Sequence, residues 1–365
     1  FLRSTEFRRG QEDRPQGWFR GDDVNDPGMA TEPSLPTEQS EMTLRKEARA
    51  GMPRGVRLVL QLLGFVVGLA LVAWCIRGAL EGGEAGWEKF KEADPGLIAA
   101  MIGCSLASVI ANGAIFFATI RPVHREGFMV LQGVNLVSSL LNYAPIRLGV
   151  MSRYFYHVRV DRFSILFVTG WIVVVGITVV AVMGAAVGAT FLQPQPGMAW
   201  ALMFLAPLIG LILALPILAR LPLVRRFTRG GEAMLTNRGW IATAFSLRAF
   251  DLGMWAIRLG IAASILGIDL PTGDVLLLAI TALVVSLNPL GRLGWREAAV
   301  AILAAQLAAP GLGTSELDAT FKQLALLESA AEASITIPLG VVALVWWIRK
   351  VRARRSTHST ANADS

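Results

Sequence analysis

The chain has 365 residues, 54% of them hydrophobic, and a mean hydropathy of +0.53, which is too apolar for a soluble domain and typical of a helical membrane protein. The net charge is +7, and the Arg and Lys residues lie mainly at the ends of apolar runs, where they orient membrane helices. The positive charge therefore does not predict binding to nucleic acid. The two cysteines lie inside apolar runs and the three histidines lack ligand spacing, so we expect no disulfide framework, no metal and no cofactor.

The two ends of the chain differ from the rest in composition. Residues 1–50 are rich in Arg, Glu, Asp, Pro, Gln and Gly, cannot bury a core, and are predicted to form a disordered tail. Met29 is the first methionine, and we expect translation to begin near it. Residues 351–365 are predicted to be a basic and polar tail in the cytoplasm.

An integral membrane domain is predicted over residues 55–350, with six helices that cross the bilayer completely. A crossing needs about 20 apolar residues. The stretch 163–219 contains no Asp, Glu, Lys, Arg or His and is long enough for two crossings. The six predicted spans cover residues 58–76, 95–120, 163–191, 198–219, 240–267 and 321–348.

Two further apolar runs are interrupted by short motifs with the same order of residue types. The first motif, at 141–153, reads LNYAPIRLGVMSR, and the second, at 287–297, reads LNPLGRLGWRE. Pro removes a backbone donor and Gly weakens a helix, so each motif is predicted to break its helix. The helix-breaking residues are Pro145, Gly149, Pro289, Gly291 and Gly294.

The basic loops indicate how the interrupted segments lie in the membrane. If each segment returns to the side from which it enters, every basic loop is cytoplasmic and every acidic or neutral loop is outside. The basic loops are those at 121–127, 153–162, 220–238 and 349–355, and the others are those at 81–94, 192–197, 268–274 and 309–320. If the first segment crossed fully, the basic stretch after it would lie outside. The alternative, two ordinary cytoplasmic loops that share residues by chance, is disfavoured by this distribution.

The predicted fold is therefore an all-α polytopic protein with six full transmembrane helices and two re-entrant broken-helix hairpins. Three full spans separate the hairpins, so the hairpins enter from opposite sides. This is an inverted repeat with halves at about 95–191 and 239–348. We expect it in the cytoplasmic (inner) membrane, with both termini in the cytoplasm.

Four arginines in the motifs are predicted to bind substrate: Arg147, Arg153, Arg292 and Arg296. A charge at the membrane centre costs at least about 2.5 kcal/mol, so such residues face the protein interior. The planar guanidinium binds phosphate or carboxylate bidentately, and the helix that follows each break points its N-terminus inward, which also favours an anion. Alternatively, the arginines pair internally, and the two roles can coexist. The candidate partners are Asp251, Glu297, Glu328 and Glu332.

Charged and polar residues also occur within the predicted spans. Arg248, Asp251 and Arg258 fall within about 80° of one helical face, and Glu328 and Glu332 share a face of the last span. We expect both faces to meet the second hairpin, with one of the two glutamates neutralising an arginine of the second motif. An asparagine of the second span, at position 112, is expected to hydrogen-bond between helices rather than to contact a ligand.

Both motifs resemble stretches of the lysylphosphatidylglycerol synthase transmembrane-region family. The first is similar to the family's P-G-R-L-G-E-x-x-R stretch and the second to its P-G-G-x-G-x-R-E stretch, and the resemblance covers roughly 55–350. The chain departs from the pattern at Ile146, where the family usually has Gly, at Val150, where it has Glu, and at Arg292, where the residue is small. The missing Glu leaves that position without a group for proton coupling or for a counter-ion.

The resemblance implies lipid translocation, because the family includes the lipid-flipping half of bacterial aminoacyl-lipid synthases. Those synthases also carry a soluble transferase domain, of which no counterpart is recognised in these residues. The first hypothesis is a flippase-like transporter for a phospholipid or a polyprenyl-phosphate-linked lipid, passive or ion-coupled because no ATP-binding motif is found. The alternatives are an integral membrane transferase acting on a lipid-linked substrate, and an accessory subunit of a partner synthase.

Overall fold

A computed structural model describes residues 54–81, 84–144, 148–222, 232–286, 294–308 and 315–361. The secondary structure in these ranges is α-helical throughout, as the sequence predicts. The predicted disordered tail at 1–50 lies outside the described residues. The helices are α1 (Arg54–Glu81), α2 (Glu84–Lys91), α3 (Pro95–Ile120), α4 (Phe128–Leu141), α5 (Leu148–Arg159), α6 (Ile165–Leu192), α7 (Met198–Leu218), α8 (Glu232–Thr236), α9 (Arg238–Ile265), α10 (Thr272–Val285), α11 (Trp295–Ala308) and α12 (Ser315–Ala361).

Four of the described helices are long and apolar enough to cross a membrane: α3, α6, α7 and the part of α12 from Ala319 to Val351. The chain is therefore a helical membrane protein. Helices α1 and α9 are also long, with 28 residues each, whereas α4 and α10 have only 14. Helix α12 continues to Ala361, past the span end predicted at 348.

Local sequence signals explain where several helices begin and end. The side chain of Asp94 accepts a 2.8 Å hydrogen bond from the N–H of Gly96 at the start of α3, and Pro95 occupies the first helical position, where no N–H is needed. Ser164 and Asn237 cap α6 and α9 in the same way. Helix α9 ends before Gly267, whose φ of +69° lies in the left-handed region that glycine adopts easily.

The helices of the described region form two sets that pack with equivalent neighbours. Helices α3 and α9 pack along each other at the centre. In the first set α3 contacts α4, α4 contacts α5 and α5 contacts α6, and in the second α9 contacts α10, α10 contacts α11 and α11 contacts α12. Each set also contacts the other in the same way: α4 packs on α12, and α10 packs on α6.

The buried core lies where α3, α6, α9 and α10 meet. It includes Ile115, Trp171, Leu259 and Leu278, each at most 1% exposed. The outer faces of α6 and α7 instead carry large exposed apolar side chains, as expected for a surface in contact with lipid.

Candidate functional site

A cavity of about 290 Å³, lined by both polar and apolar side chains, lies inside this helix bundle. Its walls come from α3, α4, α5, α6, α9, α10 and α12. Asn142 and Ser286, which follow the last residues of α4 and α10, both line it. Each of these helices ends where one of the two sequence motifs begins, so both motifs start beside the same cavity.

Of the two motif arginines that the structure describes, Arg153 on α5 lines this cavity. Its Nε donates to Ser138 Oγ at 3.0 Å, its Nη2 donates to Asn135 Oδ1 at 2.5 Å, and its guanidinium carbon lies 3.6 Å from the centre of the Phe116 ring. These three partners are neutral, and no ion pair joins Arg153 to a carboxylate among the described residues. A cation that is only 9% exposed and lacks a counter-ion is unfavourable, so the position favours an anionic ligand.

The two hydrogen-bond acceptors of Arg153 are themselves held in place by backbone groups. Asn135 donates through Nδ2 to the carbonyl of Val109 at 3.3 Å, which leaves its Oδ1 free to accept from the guanidinium. Ser138 donates to the carbonyl of Gly149 at 2.8 Å and so presents an oxygen lone pair to Nε. The arginine is therefore held in one orientation before any ligand arrives.

Gly149 is needed where α5 packs on α4. A side chain at this position would collide with the backbone oxygen of Ser138 and the side chain of Asn142. Gly149, predicted to break a helix, lies in the first turn of α5, where it permits the close approach to α4 that places Arg153 beside its partners.

A second charged pair, Arg248 and Asp251 on α9, lines the same cavity. Arg248 Nη1 donates to Asp251 Oδ2 at 2.8 Å, and the other carboxylate oxygen accepts a hydrogen bond from Ser108 of α3. Both residues are at most 5% exposed. This face of α9 was predicted to meet the second hairpin, and the pair lines the cavity together with Arg153 and with Leu283 of α10, a helix of the second interrupted segment. Arg258 lies ten residues further on, about 15 Å along the axis of α9. The same helical face therefore contacts different residues at two levels along the helix.

Arg296 on α11 has a different environment from Arg153, because carboxylates surround it. Its Nη1 lies 2.5 Å from Glu332 Oε2, and its Nη2 lies 3.4 Å from Glu328 Oε2 and 3.3 Å from Glu297 Oε1. Nη2 also donates to Ser329. The pairing of a second-motif arginine with the two glutamates of the last span, predicted from the sequence, is present. Arg296 is thus neutralised within the protein.

Arg258 on α9 completes this ion network. Its Nη2 donates to Glu328 and lies 3.6 Å from Glu332 Oε2, and its Nη1 donates to Ser105 of α3 at 3.1 Å. The ring of Trp255 lies beneath both arginines, with centroid distances of 4.4 Å to Arg258 and 5.3 Å to the other guanidinium. The network ties α3, α9, α11 and α12 together, and its arginines and glutamates are at most 6% exposed.

Glu297 has a local role at the start of α11. It accepts a 2.7 Å hydrogen bond from the N–H of Gly294 and a 2.6 Å bond from Ser329. A Glu three residues after the capping position is the arrangement of a capping box, so it fixes the beginning of the helix. Gly294 itself has a φ of +82°, and a side chain there would collide with the backbone of Gly68 on α1.

Five of the predicted site residues lie outside the described residues. They are Arg147, Pro145, Pro289, Gly291 and Arg292. The remaining predicted residues lie around Arg153 or in the ion network around Arg296, and Glu332 of that network also lines the cavity.

Sequence reasoning missed several cavity residues, although α4 carried a signal for them. Asn135 and Ser138 of α4 and Asn142 just after it recur at intervals of three and four residues, which places them on one helical face. Thr336 also lines the cavity, and its buried hydroxyl has no hydrogen-bond partner in the described region. Asn112 lines the cavity too, and the helix–helix hydrogen bond expected for it is absent among the described residues.

No model of a protein family matches the chain, and no curated protein matches it in sequence. The described residues contain no group of three or more His, Cys, Asp or Glu side chains arranged to hold a metal ion. Function is therefore inferred from the geometry of the cavity and from the motifs.

Proposed function

We propose that the protein translocates a lipid with an anionic headgroup across the cytoplasmic membrane. The observation that carries the proposal is Arg153, a buried cation with neutral hydrogen-bond partners that lines a cavity beside the ends of α4 and α10. A phosphate or carboxylate at this guanidinium would supply the missing counter-charge. The amide of Asn112 and the hydroxyl of Thr336 would share the remaining headgroup hydrogen bonds.

The proposed membrane topology has six full spans and two re-entrant hairpins, α4–α5 and α10–α11. Helices α4 and α10 are each about 21 Å long and so too short for a hydrocarbon core of about 30 Å, which supports re-entry. Helix α9 is about 42 Å long, and the three charged residues in its interior, Arg248, Asp251 and Arg258, are buried and paired, which supports a full span despite them. The equivalent neighbours of α3–α6 and α9–α12 support the inverted repeat, and the basic loops support cytoplasmic termini.

The resemblance of both motifs to the lysylphosphatidylglycerol synthase transmembrane region supports the same class of activity. The substrate would be a phospholipid or a polyprenyl-phosphate-linked lipid, and a partner synthase could supply it. Contact of the headgroup with Arg147 and Arg292 remains a prediction from the motifs.

Transport in liposomes tests the proposal. Purified protein is reconstituted with a fluorescent phosphatidylglycerol, and translocation is followed by reduction of the dye in the outer leaflet. Arg153→Gln should lower the rate per folded molecule at least about tenfold, and Arg153→Lys should retain part of it, because Lys keeps the charge but not the planar fork. Arg159→Gln, an exposed change on the same helix, is the matched control and should leave the rate unchanged.

Two outcomes would contradict the proposal. The first is a parental protein that moves no anionic lipid. The second is a folded Arg153→Gln variant that transports at the parental rate, which would make this arginine a structural residue. The same assay applied to Arg147→Gln and Arg292→Gln tests the two predicted motif contacts.

A further inference from the structure

The cavity wall formed by α6 differs from the other walls because it is entirely apolar. Helix α6 contributes Ile172, Val175, Gly176 and Val179, while the polar lining residues come from the other helices. Their spacing of three, one and three residues places them on one helical face. The cavity is thus amphipathic, with an arginine side and a hydrocarbon side.

The apolar face borders the outer surface of the helix. Ile172, Gly176 and Val179 are half-buried, whereas the neighbouring Val173 and Val180 are 54% and 68% exposed on the lipid-facing side. The cavity and the bilayer therefore adjoin along the middle of α6.

Helix α6 is held by neighbouring elements on either side of this stretch. Near its start, Tyr154 Oη on α5 donates to Thr169 Oγ1 at 2.9 Å. Just beyond its end, Gly273 on α10 packs so closely against the carbonyl of Pro194 that a side chain would not fit. The 172–179 face of α6 lies between these two contacts, one with each hairpin.

Gly176 lies at the centre of this face. No described atom lies within 4 Å of a Cβ built on it, whereas a Cβ on Gly113, Gly133 or Gly149 would collide with a neighbour. Those three glycines allow close packing, but Gly176 does not, and glycine in a helix is about 1 kcal/mol less favourable than alanine. Because Gly176 has no side chain, the gap between the cavity and the bilayer is wider at this position.

We infer that the hydrocarbon chain of the bound lipid leaves the cavity across the 172–179 face of α6, past Gly176. The inference rests on the proposed function and deepens it. A cavity of about 290 Å³ is at the lower limit for a small-molecule site, so it holds a headgroup while the chains remain in the bilayer. The substrates are therefore lipids held by the headgroup, and the passage selects for a hydrocarbon chain.

Calorimetric binding of two probes separates the passage from the headgroup site. The probes are dioleoyl phosphatidylglycerol and glycerol 3-phosphate, which lacks chains, titrated into detergent-solubilised protein. Gly176→Leu should weaken binding of the lipid at least about tenfold and leave glycerol 3-phosphate binding unchanged. Gly184→Leu, on the exposed face of the same helix with no described atom within 4 Å, should bind both probes like the parent.

Each alternative result has a separate meaning. If the parent binds neither probe, the proposed function fails and the passage fails with it. If the parent binds both probes and Gly176→Leu also binds both normally, or loses both, the passage is wrong while the headgroup site stands.

A cysteine variant tests the same passage without the large side chain that leucine introduces. Gly176→Cys, in a background with Cys75 and Cys104 changed to Ser, is reconstituted and exposed to a bilayer-soluble maleimide. Labelling should be lost when phosphatidylglycerol replaces phosphatidylcholine in the vesicles, whereas Gly184→Cys should label equally in both. Equal labelling of position 176 in the two vesicles would overturn the inference.

Discussion

Removal of a single charge from the buried ion network should strongly destabilise the fold. Glu332→Gln keeps the shape of the side chain and removes its charge. Glu332 Oε2 lies 2.5 Å from Arg296 Nη1 and 3.6 Å from Arg258 Nη2, so both arginines lose a counter-ion at once.

The expected magnitude follows from these distances. At an effective dielectric constant near 20, Coulomb's law gives about 7 and about 5 kcal/mol for the two contacts. Several kcal/mol of this attraction are offset by the desolvation of the buried carboxylate, and glutamine retains a hydrogen bond. The net loss in the free energy of unfolding should be about 3–5 kcal/mol, as for other broken buried pairs.

Unfolding in mixed micelles with increasing SDS, followed by helical circular dichroism, measures this loss. Glu88→Gln, an exposed change on α2, is the matched control and should stay within about 0.5 kcal/mol of the parent. The double variant Glu332→Gln/Arg258→Gln should lose less than the sum of the two single losses, because the residues share one contact. A Glu332→Gln protein within about 1 kcal/mol of the parent would refute the reasoning, since the contact would then carry no net stability.

Other positions test the fold in the same way. Gly294→Ala should lower the free energy of unfolding by at least about 2 kcal/mol, because its φ of +82° and the close backbone of α1 both oppose a side chain. Gly188→Ala, with no described atom within 4 Å, should show no loss, and equal behaviour of the two variants would contradict the packing. Trp171→Phe should cost about 1 kcal/mol in the same titration, because it deletes a 2.8 Å hydrogen bond to a buried threonine, and no loss would argue against that bond. A single cysteine replacing Arg159 should react with an impermeant maleimide only from the cytoplasm, and one replacing Asp269 only from outside. Labelling of position 159 from outside would exclude the re-entrant first hairpin.

Much of the fold is predictable from local sequence. Apolar runs of span length mark the helices, and caps such as Asp94 and Ser164 mark where they begin. The four-residue spacing of Glu328 and Glu332 places both on one face, and embedded charges of opposite sign must find one another in a medium without water. The pairing of Arg296 with these glutamates was therefore predictable.

The difference in environment between Arg153 and Arg296 was not predictable from the sequence. Arg153 and Arg296 follow similar motifs, and the sequence gives both the same proposed role. The glutamates that neutralise Arg296 come from α12, up to 36 residues away, whereas Arg153 meets an amide and a hydroxyl on α4. Only the packing of helices decides which of these side chains each guanidinium meets.

The sequence by itself determined that the protein is a helical membrane protein, because the length and composition of an apolar run are local properties. The tertiary structure decided that Arg153 lines a cavity while Arg296 is neutralised, and that the polar face of α4 lies opposite an apolar face of α6. Those facts depend on contacts between helices distant in the chain, and such contacts are set by the packing of whole surfaces rather than by any single motif.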